Sequence, residues 1–143
     1  MENWLGAGPS ASGTLICDKT GTGTRVTYHA DVEGYIRFYE TTGGGEAPCI
    51  REELDRRTLI KEHLLMGFRY IEGPDEKLFK KRFGYGIDGF IPQTLGKWRS
   101  KGLLENKKTA LNREGRMLLN SFLVDCFREL EESREGLALY SLT

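Results

Sequence analysis

The chain has 143 residues, of which 38% are hydrophobic and 29% charged, and its formal net charge is zero. This length allows one domain, or one domain with an appendage. No apolar run approaches the roughly 20 residues that a membrane-spanning helix needs. The N-terminus also lacks the basic and apolar regions of a signal peptide. We therefore expect a cytoplasmic protein with no membrane partner.

The three cysteines, Cys17, Cys49 and Cys126, are widely separated and form no CxxC pair. Such spacing builds neither a local zinc site nor a cysteine-ligated cluster. His63 falls inside a helical pattern, where a surface or packing role is expected. No nucleophile with a neighbouring base can be picked out. The sequence thus predicts no metal site and no catalytic residue.

Residues 1–46 differ from the remainder because they hold nine of the 18 glycines and few large apolar side chains. Leu15-Ile16-Cys17 and Arg25-Val26-Thr27-Tyr28 flank a polar, glycine-rich turn, which predicts a β-hairpin. Asp31 is a suitable N-cap for a short helix over residues 32–39. This segment is too poor in apolar residues to fold alone, so we expect it to pack on other protein.

Gly6, Gly8 and Ala11 match the pattern GxGxx[GA] literally. A dinucleotide-binding fingerprint needs a strand before these glycines and a helix after them. Only five residues precede Gly6, and residues 13–17 have the pattern of a strand. The match therefore does not predict nucleotide binding. The glycines instead allow the backbone to approach another surface closely, which is either a ligand or neighbouring chain.

From Pro48 onward the pattern is helical, with helices expected over residues 54–68, 76–83, 90–101 and 113–132. The acids of residues 51–55 resemble helix N-terminal charge, and Asp75, Asp88 and Asn112 are suitable N-caps. A polar turn between Leu104 and Leu111 predicts a short hairpin, which gives the winged-helix order. The sequence predicts an α+β, mainly helical fold: a β-hairpin and short helix over 1–46, and a winged-helix-like domain over 47–143.

Residues 75–116 hold 11 Lys and Arg against five Asp and Glu. This charge raises the alternative of a free-standing winged-helix DNA-binding protein. Gly96 and Trp98, however, occupy the expected recognition helix, where base-reading polar side chains would be needed. Trp98 lies at helical spacing from Leu95, as a core residue would. Nucleic acid is therefore not the expected partner.

Two segments together resemble the C-terminal part of the oxygen-independent coproporphyrinogen III oxidase family, which uses radical S-adenosylmethionine chemistry and includes haem chaperones. The first comprises residues 5–13, 25–28 and 35–36, with Tyr28 where the family commonly has asparagine and with Pro9 and Ser10 varying the glycine stretch. The second comprises residues 64–69, 79–84, 102–104 and 111–120. Its last part is similar to the family's L-T-x-x-G-x-x-L-x-N, with Asn112 in place of threonine.

The resemblance implies that residues 1–46 end an incomplete catalytic barrel and that the helical domain covers the barrel's open end. The family's CxxxCxxC motif for an iron–sulfur cluster and the barrel strands are not in this sequence. We therefore expect a C-terminal piece of a longer protein, without cofactor or activity of its own. Its partner would be the N-terminal barrel.

By the same resemblance, the parent protein would use S-adenosylmethionine and an iron–sulfur cluster to convert coproporphyrinogen III into protoporphyrinogen IX by oxidative decarboxylation. In the chaperone branch it would bind and transfer haem, and His29, His63 and the three cysteines are unplaced candidates for an axial ligand. The cofactor-binding or substrate-facing positions would lie in the glycine stretch: Gly6, Gly8, Ser10, Ala11 and Ser12.

Overall fold

The structure, a computed structural model, describes residues 2–132. It confirms the α+β class, because a small antiparallel sheet near the N-terminus is followed by helices. Within residues 2–132 no helix is long and apolar enough to cross a membrane. The elements in chain order are β1 (Ser12–Cys17), β2 (Thr22–Tyr28), α1 (Val32–Thr42), β3 (Cys49–Leu54), α2 (Arg56–Gly67), α3 (Glu76–Phe83), α4 (Ile87–Phe90), α5 (Pro92–Ser100), α6 (Arg113–Met117) and α7 (Leu119–Glu132).

The sheet has the strand order β1-β2-β3, and both strand pairs are antiparallel. β1 and β2 form the predicted hairpin. The free edge of β1 is covered by the residues that precede it. Trp4 and Thr14 exchange backbone hydrogen bonds at 3.1 and 2.9 Å, and the side chain of Asn3 accepts the Ile16 N–H at 2.7 Å. These contacts satisfy edge groups that would otherwise be open to another strand.

The acids before α2 lie on a strand, so the prediction that they begin a helix is wrong for most of them. Glu52 and Glu53 belong to β3, where Arg25 lies 3.7 Å from Glu52 and the Thr24 hydroxyl donates to Glu53 at 3.1 Å. Cross-strand pairs of this kind stabilise a sheet. Asp55 alone has a helix-capping role, since its carboxylate accepts the Thr58 N–H at 2.7 Å.

Aspartates begin two further helices at the predicted positions, because Asp31 caps α1 and Asp75 caps α3. Asp88 does not cap the long helix that follows it. It lies within the short α4, and α5 begins at Pro92. The residue before a proline is disfavoured in helical geometry, whereas proline itself suits the first helical position. The proline therefore separates α4 from α5.

The hydrophobic core is built mainly by the helices and reaches the sheet through Ile16 and Leu54. α2 packs on the inner face of the sheet, where Leu59 approaches Gly23. Several aromatic rings meet edge to face inside the core, including Phe68 with Phe122 at 4.6 Å between centroids. The rings that are fully buried are Phe68, Phe79, Phe83 and Phe122.

The last helices are joined by a narrow connection. The predicted hairpin is reduced to one antiparallel bridge, Leu104 with Leu111. Asn112 caps α6, as expected, through a 2.9 Å bond from the Gly115 N–H. The predicted single helix over 113–132 is divided at Leu118, whose φ of −107° and ψ of 20° leave helical geometry.

The domain boundary predicted between residues 46 and 47 stays a prediction. The strand that follows it, β3, pairs with β2, which precedes it.

Candidate functional site: the outer face of the sheet

The glycine stretch forms a tight turn that leads into β1. The Ala11 N–H donates to the Gly8 carbonyl at 3.1 Å, with Pro9 and Ser10 at the two central positions. Ser10 has a φ of +61° and Gly8 a φ of +103°. Proline followed by a residue of positive φ is the pattern of a type II turn. The unusual backbone of this stretch is therefore explained by the turn itself.

Gly6 is fixed by close contact with the protein's own chain. A Cβ at Gly6 would lie 2.5 Å from the Ser12 carbonyl oxygen, and a Cβ at Gly13 would lie 2.8 Å from the Gly6 nitrogen. Both positions need glycine because the segment crosses β1 at backbone distance. The Ser12 hydroxyl in turn lies 3.0 Å from that of Thr27. The sequence left open whether the glycines approach a ligand or neighbouring chain. At Gly6 the close contact is with neighbouring chain.

We define the outer face as the side of the sheet opposite α2, formed by Leu5, Leu15, Val26 and Tyr28. Leu5 is 80% exposed and Leu15 47% exposed, while Val26 and Tyr28 are half-buried. These residues line a shallow cavity of 160 Å³ together with the backbone of Gly6 and Gly13. An antiparallel sheet usually turns polar side chains to water on its exposed side. Here Leu15 of β1 and Val26 and Tyr28 of β2 are apolar, whereas Thr24, Arg51 and Glu53 make the β3 half of the same side polar.

A polar rim borders the outer face on the side of β3. Glu46 and Arg51 form an ion pair of 2.5 Å, and the hydrogen bond raises the pKa of the Arg51 guanidinium above its ordinary value. The Cys49 thiol lies 3.6 Å from Glu46. Removal from water, followed by the negative charge of Glu46, raises the pKa of this thiol. Cys49 is therefore a poor nucleophile at neutral pH.

Helix α1 extends the apolar surface beyond the sheet. None of its residues is buried, and Val32 and Ile36 are 55% and 51% exposed. Its contact with the sheet runs through tyrosine rings: Tyr28 meets Tyr35 edge-on at 6.2 Å, and Tyr35 lies 5.0 Å from Tyr39. Because Tyr28 belongs to both surfaces, the outer face and α1 are continuous.

A second cleft, of 740 Å³, lies on the side of Trp4 and α2. Arg25 and Glu62 form a 2.7 Å ion pair there, and the Arg25 Nε–H donates to the Thr14 hydroxyl at 3.3 Å. Leu65, Met66 and Tyr70 are among the residues that make its wall apolar. Arg25 and Glu62 are paired with each other, which makes them structural partners and not a base with a nucleophile.

A polar cluster, in which His63 and Arg82 are buried and Asp18 is partly exposed, joins the β1–β2 turn to the helices. Asp18 accepts hydrogen bonds from Lys81 and Arg82 at 2.8 Å, and these bonds lower the pKa of its carboxyl. The buried Arg82 also donates to His63 Nε2 at 3.3 Å. This Nε2 must be the unprotonated ring nitrogen, since an arginine can only donate.

His63 is 2% exposed, and its ring packs edge-on against Phe79 at 5.8 Å and Phe83 at 5.3 Å. Burial is the largest of the causes that lower its pKa to about 4, and the positive charge of Arg82 acts in the same direction. Of the surface or packing role predicted for His63, the packing role is the one observed. The partners of His63 could not be predicted from local pattern, because Asp18 and Arg82 lie 45 and 19 residues away from it in the sequence.

The remaining candidate ligands lie apart. His29 is exposed in the loop after β2, Cys17 ends β1 and Cys126 is buried in α7. Residues 2–132 contain no group of three or more His, Cys, Asp or Glu side chains placed to hold a metal ion. The arrangement at the outer face is suited to binding another surface: it is apolar, shallow and bordered by charge.

Comparison with protein-family models, with curated proteins and with solved structures gives no match to this chain. Its function must therefore be argued from its own residues.

Proposed function

We propose that this chain is the C-terminal region of a cytoplasmic protein of the oxygen-independent coproporphyrinogen III oxidase family, and that its outer face docks on the upstream catalytic barrel. In this proposal α5, the Leu104–Leu111 bridge, α6 and α7 act as a winged-helix-like cover over the open end of the barrel. The complete protein would decarboxylate coproporphyrinogen III or, in the chaperone branch, bind haem. The sequence resemblance supplies the family, and the exposed apolar surface supports the docking.

The observation that carries the proposal is the bare outer face. The inner face of the sheet is covered by α2, whereas Leu5 and Leu15 on the outer face are 80% and 47% exposed. Burying one such leucine fully is worth about 1.5–3 kcal/mol. Contiguous exposed apolar side chains mark a surface that binds protein. A barrel wall that ends in residues 1–46 would cover this face.

Helix α1 supports the same conclusion independently. Its exposed Val32 and Ile36 lie one turn apart and so share one side of the helix. An amphipathic helix gains most of its stability by packing this side against other protein. In this chain the Tyr35 ring of α1 contacts Tyr28, while Val32 and Ile36 are more than half exposed. A docked barrel would complete the packing of both surfaces.

The predicted substrate-facing residues keep that role as part of the proposal. Gly6 and Ser12 lie at the entry to β1, and the turn formed by Gly8, Ser10 and Ala11 stands at the same end of the sheet. The N–H groups of Ser10 and Ala11 donate to the His29 and Gly8 carbonyls, so the Ser10 hydroxyl is the group that this turn would offer to a ligand held inside a barrel. Their local roles in the turn and in the crossing of β1 are compatible with this function.

The test uses the reading frame upstream of this chain, which should encode a CxxxCxxC motif and a segment long enough for the barrel. The upstream piece and this chain are expressed separately, and their association is measured by isothermal titration calorimetry under anaerobic conditions. Leu15→Lys should weaken the association at least roughly tenfold, since it places a charge in the interface. Ile71→Lys is the control because Ile71, in the loop between α2 and α3 and outside both the sheet and the proposed cover, is 62% exposed.

Two results would refute the proposal. One is an upstream frame without the cysteine motif and without barrel-length sequence. The other is association that Leu15→Lys and Ile71→Lys weaken equally, because the outer face would then have no special part in binding.

The DNA-binding alternative finds less support in the charges around α5. Lys97 forms a 2.7 Å ion pair with Asp125, and Glu129 accepts the N–H groups of Gln93 and Thr94 at 2.8 and 2.7 Å. Carboxylates thus flank the helix that would enter the groove of DNA, and they would repel phosphate. Salt-dependent binding of a DNA duplex would favour this alternative over the barrel.

A further inference from the structure

The 740 Å³ cleft beside Trp4 and α2 has the size of a small-molecule binding site. Leu65, Met66 and Leu78 give it an apolar wall. Two aromatic residues also line it, Trp4 and Tyr70, and their side chains are 44% and 61% exposed. The cleft lies on the α2 side of the sheet, so it is a different surface from the outer face.

Hydrogen bonds hold both aromatic residues of the cleft in place. The indole N–H of Trp4 donates to the Ser12 carbonyl at 3.1 Å, which fixes the position of the ring. Tyr70 lies in the turn after α2, where its N–H donates to the Gly67 carbonyl and its carbonyl accepts the Gly73 N–H, both at 3.1 Å. The cleft is thus formed before any ligand binds, which lowers the cost of binding.

The charged groups of the cleft leave an excess of negative charge. Its lining contains the three acids Glu2, Glu62 and Asp75 and the single base Arg25, a formal net charge of −2. Arg25 Nη2 lies 2.7 Å from both carboxylate oxygens of Glu62, so these two charges offset each other. Glu2 and Asp75 form no ion pair within residues 2–132. A cation is therefore the occupant whose charge complements this lining.

We propose that this cleft binds a small organic cation that carries an apolar group, such as a quaternary ammonium compound. The cationic group is attracted by Glu2 and Asp75 and by the rings of Trp4 and Tyr70, because the face of an aromatic ring attracts positive charge. The apolar group contacts the wall that contains Leu78. A metal ion fits less well, because hard cations take six or more oxygen ligands, which an apolar wall does not supply.

The test is a titration of the ¹⁵N-labelled full chain with benzyltrimethylammonium chloride at constant ionic strength, followed by NMR. The chain has two indole N–H groups: the signal of Trp4 should shift, and that of the buried Trp98 should not. Tetramethylammonium has the charge without the ring, and benzyl alcohol has the ring without the charge. Each should bind at least roughly tenfold more weakly than benzyltrimethylammonium.

Asp75→Asn tests the part played by charge without removing the helix cap. Asparagine keeps an oxygen that accepts the Leu78 N–H, and it caps helices as well as aspartate does. The variant should bind benzyltrimethylammonium roughly two- to fivefold more weakly. Asp31→Asn is the matched control, because Asp31 caps α1 and does not line this cleft.

Tyr70→Ala tests the part played by the ring and should weaken binding roughly two- to fivefold, whereas Tyr70→Phe should bind like the natural chain. Tyr85→Ala is the control, because Tyr85 is also exposed and lies outside the cleft. The proposal is overturned if the Trp4 signal does not move up to tens of millimolar ligand, or if benzyl alcohol binds as tightly as the cation. Equal binding by Asp75→Asn and Asp31→Asn would also overturn it. None of these results depends on the proposed docking to an upstream barrel.

Discussion

The stability of this protein should depend on pH through His63. Its pKa is about 4 in the folded protein and 6.5 ordinarily, so above pH 6.5 the imidazole is neutral in both the folded and the unfolded chain. Between pH 6.5 and 4 the unfolded chain binds a proton that the folded protein does not. The free energy of unfolding therefore falls as the pH falls through this window.

The size of the effect follows from the two pKa values. At pH 5 the stability lost through His63 is about 2 kcal/mol, and below pH 4 it approaches about 3 kcal/mol. This is a large fraction of the roughly 5–15 kcal/mol by which a domain of this size is stable. The physical cause is burial, since the protonated ring would lie among Phe79, Phe83 and the positive charge of Arg82.

The free energy of unfolding is measured by urea titration at pH 7.5, 6 and 5, with the fluorescence of the buried Trp98 as the signal. The variant His63→Gln keeps an acceptor for Arg82 but cannot titrate, so it should lose about 2 kcal/mol less than the natural chain between pH 7.5 and 5. Carboxylates whose pKa is lowered in the fold, such as Asp18, contribute equally to both proteins and cancel.

His29→Gln is the control, because the chain has two histidines and His29 is exposed. Its pH dependence should follow that of the natural chain. Parallel loss of stability in the natural chain and in His63→Gln would show that His63 does not control the transition, and the reasoning from burial would be wrong.

Two further predictions concern α7 and the thiols. Asp125→Ala removes the acceptor of the buried Trp98 indole at 2.8 Å and the partner of Lys97, and should cost about 1–3 kcal/mol in urea unfolding; a loss below about 0.5 kcal/mol would contradict it. Cys17, whose pKa is lowered by its hydrogen bond with Thr20, should react with iodoacetamide at pH 7.5 well before Cys126, whose pKa burial raises. Mass spectrometry measures both rates, and equal rates would refute the assignment.

Local signals predicted much of the fold correctly. The β1–β2 hairpin, the caps at Asp31, Asp75 and Asn112, and the buried Trp98 all follow from interactions within a few residues of sequence. β3 could not be found this way, because its sequence lacks the apolar alternation of a half-buried strand. Its partners on β2 come from a distant part of the chain, and they decide its conformation.

The candidate site was harder to predict for the same reason. Leu5, Leu15 and Val26 are ordinary apolar residues in the sequence, and they become an exposed surface only through the pairing of β1 with β2. The cluster of Asp18, His63 and Arg82 also depends on how the sheet is seated on the helices. Periodicity indicates which side chains are buried, but not which polar groups are buried together.

The glycines show how a structure separates residues that serve the fold from residues that point to a function. Gly6 and Gly13 are needed where the chain crosses β1, so their presence is explained without any ligand. Gly96 has no such explanation, since a side chain would fit and would favour the helix. The sequence drew attention to Gly6 because it matched a motif, and the packing shows that Gly6 serves the crossing of β1. A motif match therefore does not distinguish a glycine that packs against the protein's own chain from one that faces a ligand.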